Sequence, residues 1–333
     1  MKRLLAALLA VLTLAGCSSK VDTATEVTIG VGGQPLLVYL PTTLADRLGY
    51  YRDEGLQVKL EDMQSGSKAL QALQGGSVNV ASGYYDHTIQ MQAKGRVATA
   101  FVGMLRLPSL ALVVSPKSGR PINSIADLRG ATVGVTSPGS STDFFLKYLL
   151  VRHGLAADDA SVAAIGGDAS AVAAVEQGKV DAAVMVEPSI SLLRQRAGDL
   201  RILADTHTAE GLRAEFGVDN YAASVLYSTG EWLAANTGTA RKLASAIVRT
   251  LQWIDQHSPT EIAERMPPEY TAGDREVYIA AIERMKESFS KDGIIHTDGA
   301  QTAYTVLSKF NTGVAQAKID LGKTYTNDHL PRP

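Results

Sequence analysis

Thr136-Ser-Pro-Gly-Ser-Ser-Thr142 gathers hydroxyls around one glycine, between the short run Ala131–Val135 and a stripe of Phe144, Phe145, Tyr148, Leu149 and Val151 at helical spacing. Val133 and Val135 are β-branched and suit a strand. A strand that ends in such a loop and opens a helix leaves backbone N–H groups unpaired, with the positive end of the helix dipole and serine hydroxyls beside them. Such a loop cradles anions, although an ordinary helix cap selects the same residues. The pattern recurs twice. Leu56–Leu60 is followed by Ser65-Gly66-Ser67 and a helical run with Ala69, Leu70 and Leu73; Val78–Val80 is followed by Ser82-Gly83-Tyr84 and a helix carrying Ile89 and Met91. No Arg stands in these loops, and Lys68 is the cation directly beside them. Donor-rich, cation-poor loops favour a delocalised monoanion, a carboxylate or sulfonate, over a phosphate dianion. Tyr84 and Tyr85 either offer a flat surface to an aromatic or short organic body or pack in the core.

Other chemistries have little to work with. His87, His153, His207, His257 and His296 are scattered, and none forms an HxxxH or HExxH pair, so neither a metal centre nor a cofactor is expected. His87, three residues after Tyr84, reads as a capping or solvent-facing residue. A serine nucleophile needs a G-x-S-x-G elbow, which Pro138-Gly-Ser-Ser-Thr142 does not supply. Cysteine occurs once, at Cys17, which excludes internal disulfides, Cys-based zinc sites and a thiol nucleophile in the folded body. The net charge of −2 gives no pull toward nucleic acid.

The 333 residues, 45% hydrophobic and 20% charged, suit a globular chain of about two domains. Lys2 and Arg3 precede an apolar stretch, Leu4–Leu14, too short to span a bilayer. Leu14-Ala-Gly-Cys17 resembles a bacterial lipobox, which implies cleavage before Cys17, its lipidation and a membrane anchor, with residues 18–25 as a polar tether. Beyond it, short strands alternate with helices, the pattern of right-handed βαβ units in a parallel sheet whose ligands sit beyond the strand carboxyl ends. Two continuous apolar runs, Leu110–Val114 and Tyr221–Tyr227, interrupt the alternation, and Thr239–Ile254 begins a helical C-terminal part.

Four segments, LADRLGYYRDEGLQVKL (44–60), GSKALQALQGGSVNVASG (66–83), IADLRGATVGVTSPGSSTDFFLKYLL (125–150) and AAVEQGKVDAAVMVEP (173–188), resemble in content and order the periplasmic-binding-protein type II family. They resemble in particular the sulfonate-, taurine- and nitrate-binding proteins of ABC importers and the thiamine-precursor-like domains. The resemblance implies two doubly wound α/β lobes joined by two hinge strands, the two apolar runs: residues 26–113 plus 226–333 as lobe 1, and 114–225 as lobe 2. Carried over loop by loop, the ligand contacts are Gln34, Ser65, Gly66, Ser67, Ser82, Gly83, Tyr84, Ser137, Gly139, Ser140, Ser141, Thr142, Asp168 and Glu187. For Gln34 and Asp168 a turn or cap role is an equal alternative, and Glu187, before Pro188, either lines the cleft or is structural. The implied function is that of an extracytoplasmic solute-binding lipoprotein, a monomer serving an ABC permease and its ATPase. An enzyme on the same fold, or a sensor for a membrane kinase, is the alternative; enzymes of this fold carry cysteines that the body here lacks.

Overall fold

The computed structural model describes residues 25–271 and 273–332, so Cys17 and nearly all of the tether lie outside the described residues. The first lobe opens with β1 (Thr25–Val31), α1 (Leu40–Arg47), α2 (Tyr50–Asp53) and β2 (Leu56–Asp62). It continues with α3 (Gly66–Gln74), β3 (Val80–Tyr84), α4 (Asp86–Ala93) and β4 (Ala98–Gly103). The second lobe holds β5 (Ala111–Val114), β6 (Thr132–Val135), α5 (Ser141–Arg152), β7 (Ser161–Ala164), α6 (Ala169–Glu176) and β8 (Ala182–Met185). It ends with α7 (Ser189–Ala197), β9 (Ile202–Asp205) and α8 (Ala209–Phe216). The chain then returns through β10 (Ser224–Thr229) to α9 (Gly230–Ala235), α10 (Thr237–Gln256), α11 (Pro259–Arg265), α12 (Arg275–Met285), α13 (Thr297–Phe310) and α14 (Thr312–Gln316).

Each lobe is built on one five-stranded sheet, ordered β2-β1-β3-β10-β4 in the first and β7-β6-β8-β5-β9 in the second. The strands run parallel except β10 and β5, which pair antiparallel with both neighbours. These are the strands that enter each sheet just after the chain changes lobe. The apolar run at 110–114 therefore lies in the second sheet, and the run at 221–227 feeds β10 of the first. The chain passes between the lobes in residues 104–110 and 217–223, which run side by side: Tyr221 N–H donates to Arg106 O at 3.2 Å, and Met104 N–H to Ser224 O at 2.8 Å where β10 begins.

Burial explains the composition. Central strands such as β3 and β8 are buried at every residue and read as continuous apolar or small runs, whereas the edge strand β2 alternates and carries the Lys59–Glu61 ion pair. Ser82 and Gly83 are strand residues, which corrects the expected loop at 82–84. The strand runs on to Tyr84 because residues 80–82 pair with β1 on one side and residues 81–84 with β10 on the other. Gly83 is small because the Tyr227 ring presses on it; a Cβ there would come within 2.9 Å of that ring. The C-terminal helices tie the lobes together, α12 packing on α7 and α13 on α5, where Phe144 and Phe310 meet at 5.9 Å between centroids.

Candidate ligand-binding site

Two helix N-termini, one from each lobe, face a common space. In the second lobe, Ser137-Pro138-Gly139-Ser140 forms a turn closed by Ser140 N–H to Ser137 O at 3.1 Å, with Gly139 at φ +78°, the left-handed position that a type II turn gives to glycine. The turn delivers the chain to α5, whose first N–H groups, from Ser141, Thr142 and Asp143, find no acceptor among the described residues. In the first lobe, Ser65 caps α3 by accepting Lys68 N–H at 3.3 Å, and Gly66 and Ser67 keep theirs. Gly66 lines an inner cavity of about 20 Å³ together with Ser140, Ser141 and Thr142, with Gly32, Tyr39, Tyr84, Thr136 and four aliphatic side chains completing the wall. None of the lining side chains carries a charge. Tyr39, edge-on to Tyr84 at 6.2 Å, aims its hydroxyl between Gly32 and Gly66; a Cβ on Gly32 would meet it at 2.8 Å.

An outer cavity of about 450 Å³ opens above it, lined by Gly33, Leu36, Gln64, Lys68, Ser137 and Asp168 among others. Leu36 borders both cavities. Its Cδ1 stands 2.8 Å from where a Cβ on Gly167 of the second lobe would be, so this side chain is the partition between them.

The hydroxyls differ in how far they are already engaged. Ser140 Oγ, Thr142 Oγ1 and Thr136 Oγ1 form a closed triangle at 2.7–3.0 Å, and Thr142 also accepts Thr136 N–H. Ser141 Oγ instead crosses to the first lobe and donates to Asp86 Oδ1 at 2.9 Å. Beside it, His87 Nε2 lies 3.4 Å from Gly139 O and its Nδ1 3.3 Å from the Tyr227 hydroxyl. His87 is fully buried, which corrects its reading as solvent-facing; burial holds its imidazole below the usual range and the Asp86 carboxyl above its own.

Of the residues expected at the site, Gly66, Tyr84, Ser140, Ser141 and Thr142 line the inner cavity, and Ser137 and Asp168 the outer. Asp168 is also the cap of α6, accepting Ser170 N–H at 3.0 Å. Gly139 lines neither cavity; its carbonyl lies 3.4 Å from His87 Nε2. The others lie elsewhere. Gln34 accepts from the Tyr270 hydroxyl at 3.3 Å, Ser82 pairs with Thr42 at 2.7 Å behind β3, and Ser65 and Ser67 sit under the start of α3. Tyr85 points into the core, bonded to Thr324 at 2.5 Å. Glu187 presents its carbonyl to Leu37 N–H at 2.9 Å across the cleft, but its carboxylate turns away to Ser191 and to Arg284 Nε at 2.9 Å. Arg284 Nε makes no aligned hydrogen bond, so that contact is chiefly one of charge. Sequence reasoning missed Tyr39, Leu36, Thr136 and Asp86; the Gly32-Gly33 break, which lets Tyr39 and Leu36 approach, was the available signal. Among the described residues no group of three His, Cys, Asp or Glu could hold a metal, and no helix is long and apolar enough to cross a membrane.

Comparison with known proteins fits this architecture. The NMT1/THI5-like family model matches residues 38–261, and the prokaryotic membrane lipoprotein lipid attachment site matches residues 1–18. A solved protein from Bordetella bronchiseptica RB50 is 41% identical, with a TM-score of 0.87 over 92% of this chain and 96% of that one. The alkanesulfonate-binding protein SsuA from Xanthomonas axonopodis pv. citri, bound to MOPS, is 16% identical, with a TM-score of 0.72 over 91% and 98%, and shares the fold. Riboflavin-binding protein RibY of Chloroflexus aurantiacus is 24% identical over 329 residues, 96% of this chain and 90% of the relative. The 4-amino-5-hydroxymethyl-2-methylpyrimidine phosphate synthase of Aspergillus parasiticus is 22% identical over 298 residues, 88% and 83% of the two. With more than half of its length matched by the family model and its leader by the attachment site, the chain belongs to the NMT1/THI5-like family, as an extracytoplasmic lipoprotein of the periplasmic-binding-protein fold.

Proposed function

We propose that this protein is the solute-binding component of an ABC importer and closes its two lobes on a small organic anion. The observation that carries the reading is the convergence of α3 and α5, one from each lobe, on one uncharged cavity lined by residues that begin both helices. An anion held there is bound by both halves at once, so binding and closure are the same event. A cavity of about 20 Å³ has room for about one water, so it admits one oxygen of a head group whose other atoms lie toward the outer cavity. The organic body extends past Leu36 into the outer cavity, where Lys68 stands. Without Arg in the lining, a carboxylate or sulfonate is favoured over a phosphate. The permease and its ATPase are the partners this role requires.

The similarity to pyrimidine phosphate synthases supports an enzyme as the second reading. Against it stands the lining, which offers hydroxyls already bonded to one another and neither cysteine nor an activated base. The test is a thermal-shift screen of the protein against sulfonates, carboxylates and pyrimidines, followed by a turnover assay on each hit. A ligand at a hundredfold excess over Kd adds about 2.7 kcal/mol of stability. The importer reading expects anionic hits that are recovered unchanged; hits confined to neutral or cationic compounds would defeat it, and conversion of a hit would favour the enzyme.

A further inference from the structure

Behind the cradle stands an acid. Asp86 opens α4 in the first lobe and is 2% exposed, yet the hydroxyl it receives belongs to Ser141 of the second lobe, and Ser141 lines the inner cavity. No Lys or Arg forms an ion pair with Asp86 among the described residues. The groups that face it are the Tyr39, Tyr84, Tyr221 and Tyr227 phenols, from the segment before α1, from β3, from the second passage and from β10, together with His87 on its own helix. Lys94, at the far end of α4, acts on His87, and Asp143 of α5 is turned to Lys147 and to Gly139 N–H. A charged His87 would draw the Asp86 carboxyl down, but burial disfavours that form of the ring; its Nε2 faces a carbonyl and donates, and its Nδ1 can accept from the Tyr227 hydroxyl, contacts that a neutral imidazole satisfies.

While Asp86 is a carboxylate, Ser141 spends its only O–H on it and turns lone pairs toward the cavity. A protonated Asp86 donates to Ser141 Oγ instead and frees that O–H for a ligand. We propose that Asp86 is the positioning residue of the cradle: it takes up a proton as the lobes close on an anion, and in doing so turns the Ser141 hydroxyl from the acid to the ligand. This rests on the anion reading above and gives that site a pH dependence. Opening returns both groups toward solvent and their ordinary behaviour. Above the imidazole range, closure takes up one proton on Asp86, and affinity falls as pH rises, by up to about tenfold per unit until the buried carboxyl itself ionises. Between the ordinary carboxylate and imidazole ranges, closure releases a proton from His87 while Asp86 gains one, so the net uptake is close to none.

Two measurements on the full-length protein test this. Gln57→Cys and Asp158→Cys, exposed positions on opposite lobes, accept spin labels that report the distance between the lobes without any ligand. The closed fraction should fall as pH rises from about 7.5 to 8.5 in the parent, and stay constant over that range in Asp86→Asn, whose amide donates to Ser141 as the protonated acid would. Calorimetry with benzoate and pentanesulfonate, in two buffers of different ionisation enthalpy, should find about one proton taken up per anion at about pH 7.5 and almost none at about pH 5 in the parent, and in Asp86→Asn none at about pH 7.5 and about one released at about pH 5. Ser141→Ala should bind weakly yet keep the proton uptake, since closure still buries Asp86. If Asp86→Asn follows the parent in its pH profile, or the parent binds a probe at about pH 7.5 without proton uptake, the role of Asp86 is overturned and the anion reading stands. If neither probe binds while the distance still follows Asp86, the anion reading falls and proton-linked closure stands; a distance that ignores Asp86, with no probe bound, defeats the proposal.

Discussion

Two adjacent serines at the start of α5 have different tasks. Ser140 is 2% exposed and its hydroxyl is held by Thr136 and Thr142, so it builds the loop. Ser140→Ala should cost about 1–2 kcal/mol of folding stability in urea titrations, by leaving two buried hydroxyls short of a partner, and should change probe affinity little. Ser141→Ala should leave the urea midpoint nearly unchanged and weaken anion binding by about 1–3 kcal/mol, because its hydroxyl is the one the ligand can recruit. Calorimetry and denaturation on both variants separate the two; equal losses of affinity would remove the distinction. The loop itself was legible, since Ser, Gly and Thr between a β-branched run and a helical stripe have few other uses. Which hydroxyl is free was not, because Asp86 lies 55 positions away on the other lobe and only folding brings it to Ser141.

At the scale of elements, the end of β8 is joined to α12 by charge. Glu187, fully buried, receives two bonds from Ser191 and faces Arg284, which also lies 3.6 Å from Asp205. Taking Glu187 out of water is costly and Arg284 compensates it, so Arg284→Met should destabilise the fold by about 3 kcal/mol, the low end for an orphaned buried charge because Ser191 remains. Adding Glu187→Gln should recover part of that loss, and Glu187→Gln alone should leave probe affinity unchanged. Urea titration of the three variants is the measurement, and an undisturbed midpoint for Arg284→Met would show the pair to be idle. The sequence singled out Glu187 by its place after a buried strand, but Arg284 sits in a helix whose pattern is generic. The same limit applied to β3, where Ser82-Gly83 looked like a loop because the Tyr227 ring that requires a glycine there is supplied from β10.

For the whole molecule, alternation of strands and helices and the order of four segments were enough to read two lobes and a double passage, since parallel βαβ units admit few topologies. Whether the lobes touch, and through what, depends on side chains that meet only on closure. The anchor is independent of that contact: Cys17→Ser should leave the protein uncut or released into the soluble fraction, with the body folded as before, and mass spectrometry of the mature N-terminus decides it. Closure itself turns on Leu36 and Gly167. A Cβ on Gly167 would come within 2.8 Å of Leu36 Cδ1 and 3.2 Å of Thr136 Cγ2. One methyl could be absorbed by a turn of Leu36, but the branches of a valine would press on Thr136 and the leucine together, and protein interiors do not yield that volume. Gly167→Val should therefore hold the lobes apart. Its radius of gyration by small-angle scattering should exceed that of the liganded parent and ignore added benzoate, and its affinity should drop at least tenfold. Leu36→Ala in the same chain clears the space that valine fills, so the double variant should close again on the probe and regain most of the affinity. A Gly167→Val protein that contracts and binds like the parent would mean that the two lobes do not meet at this wedge.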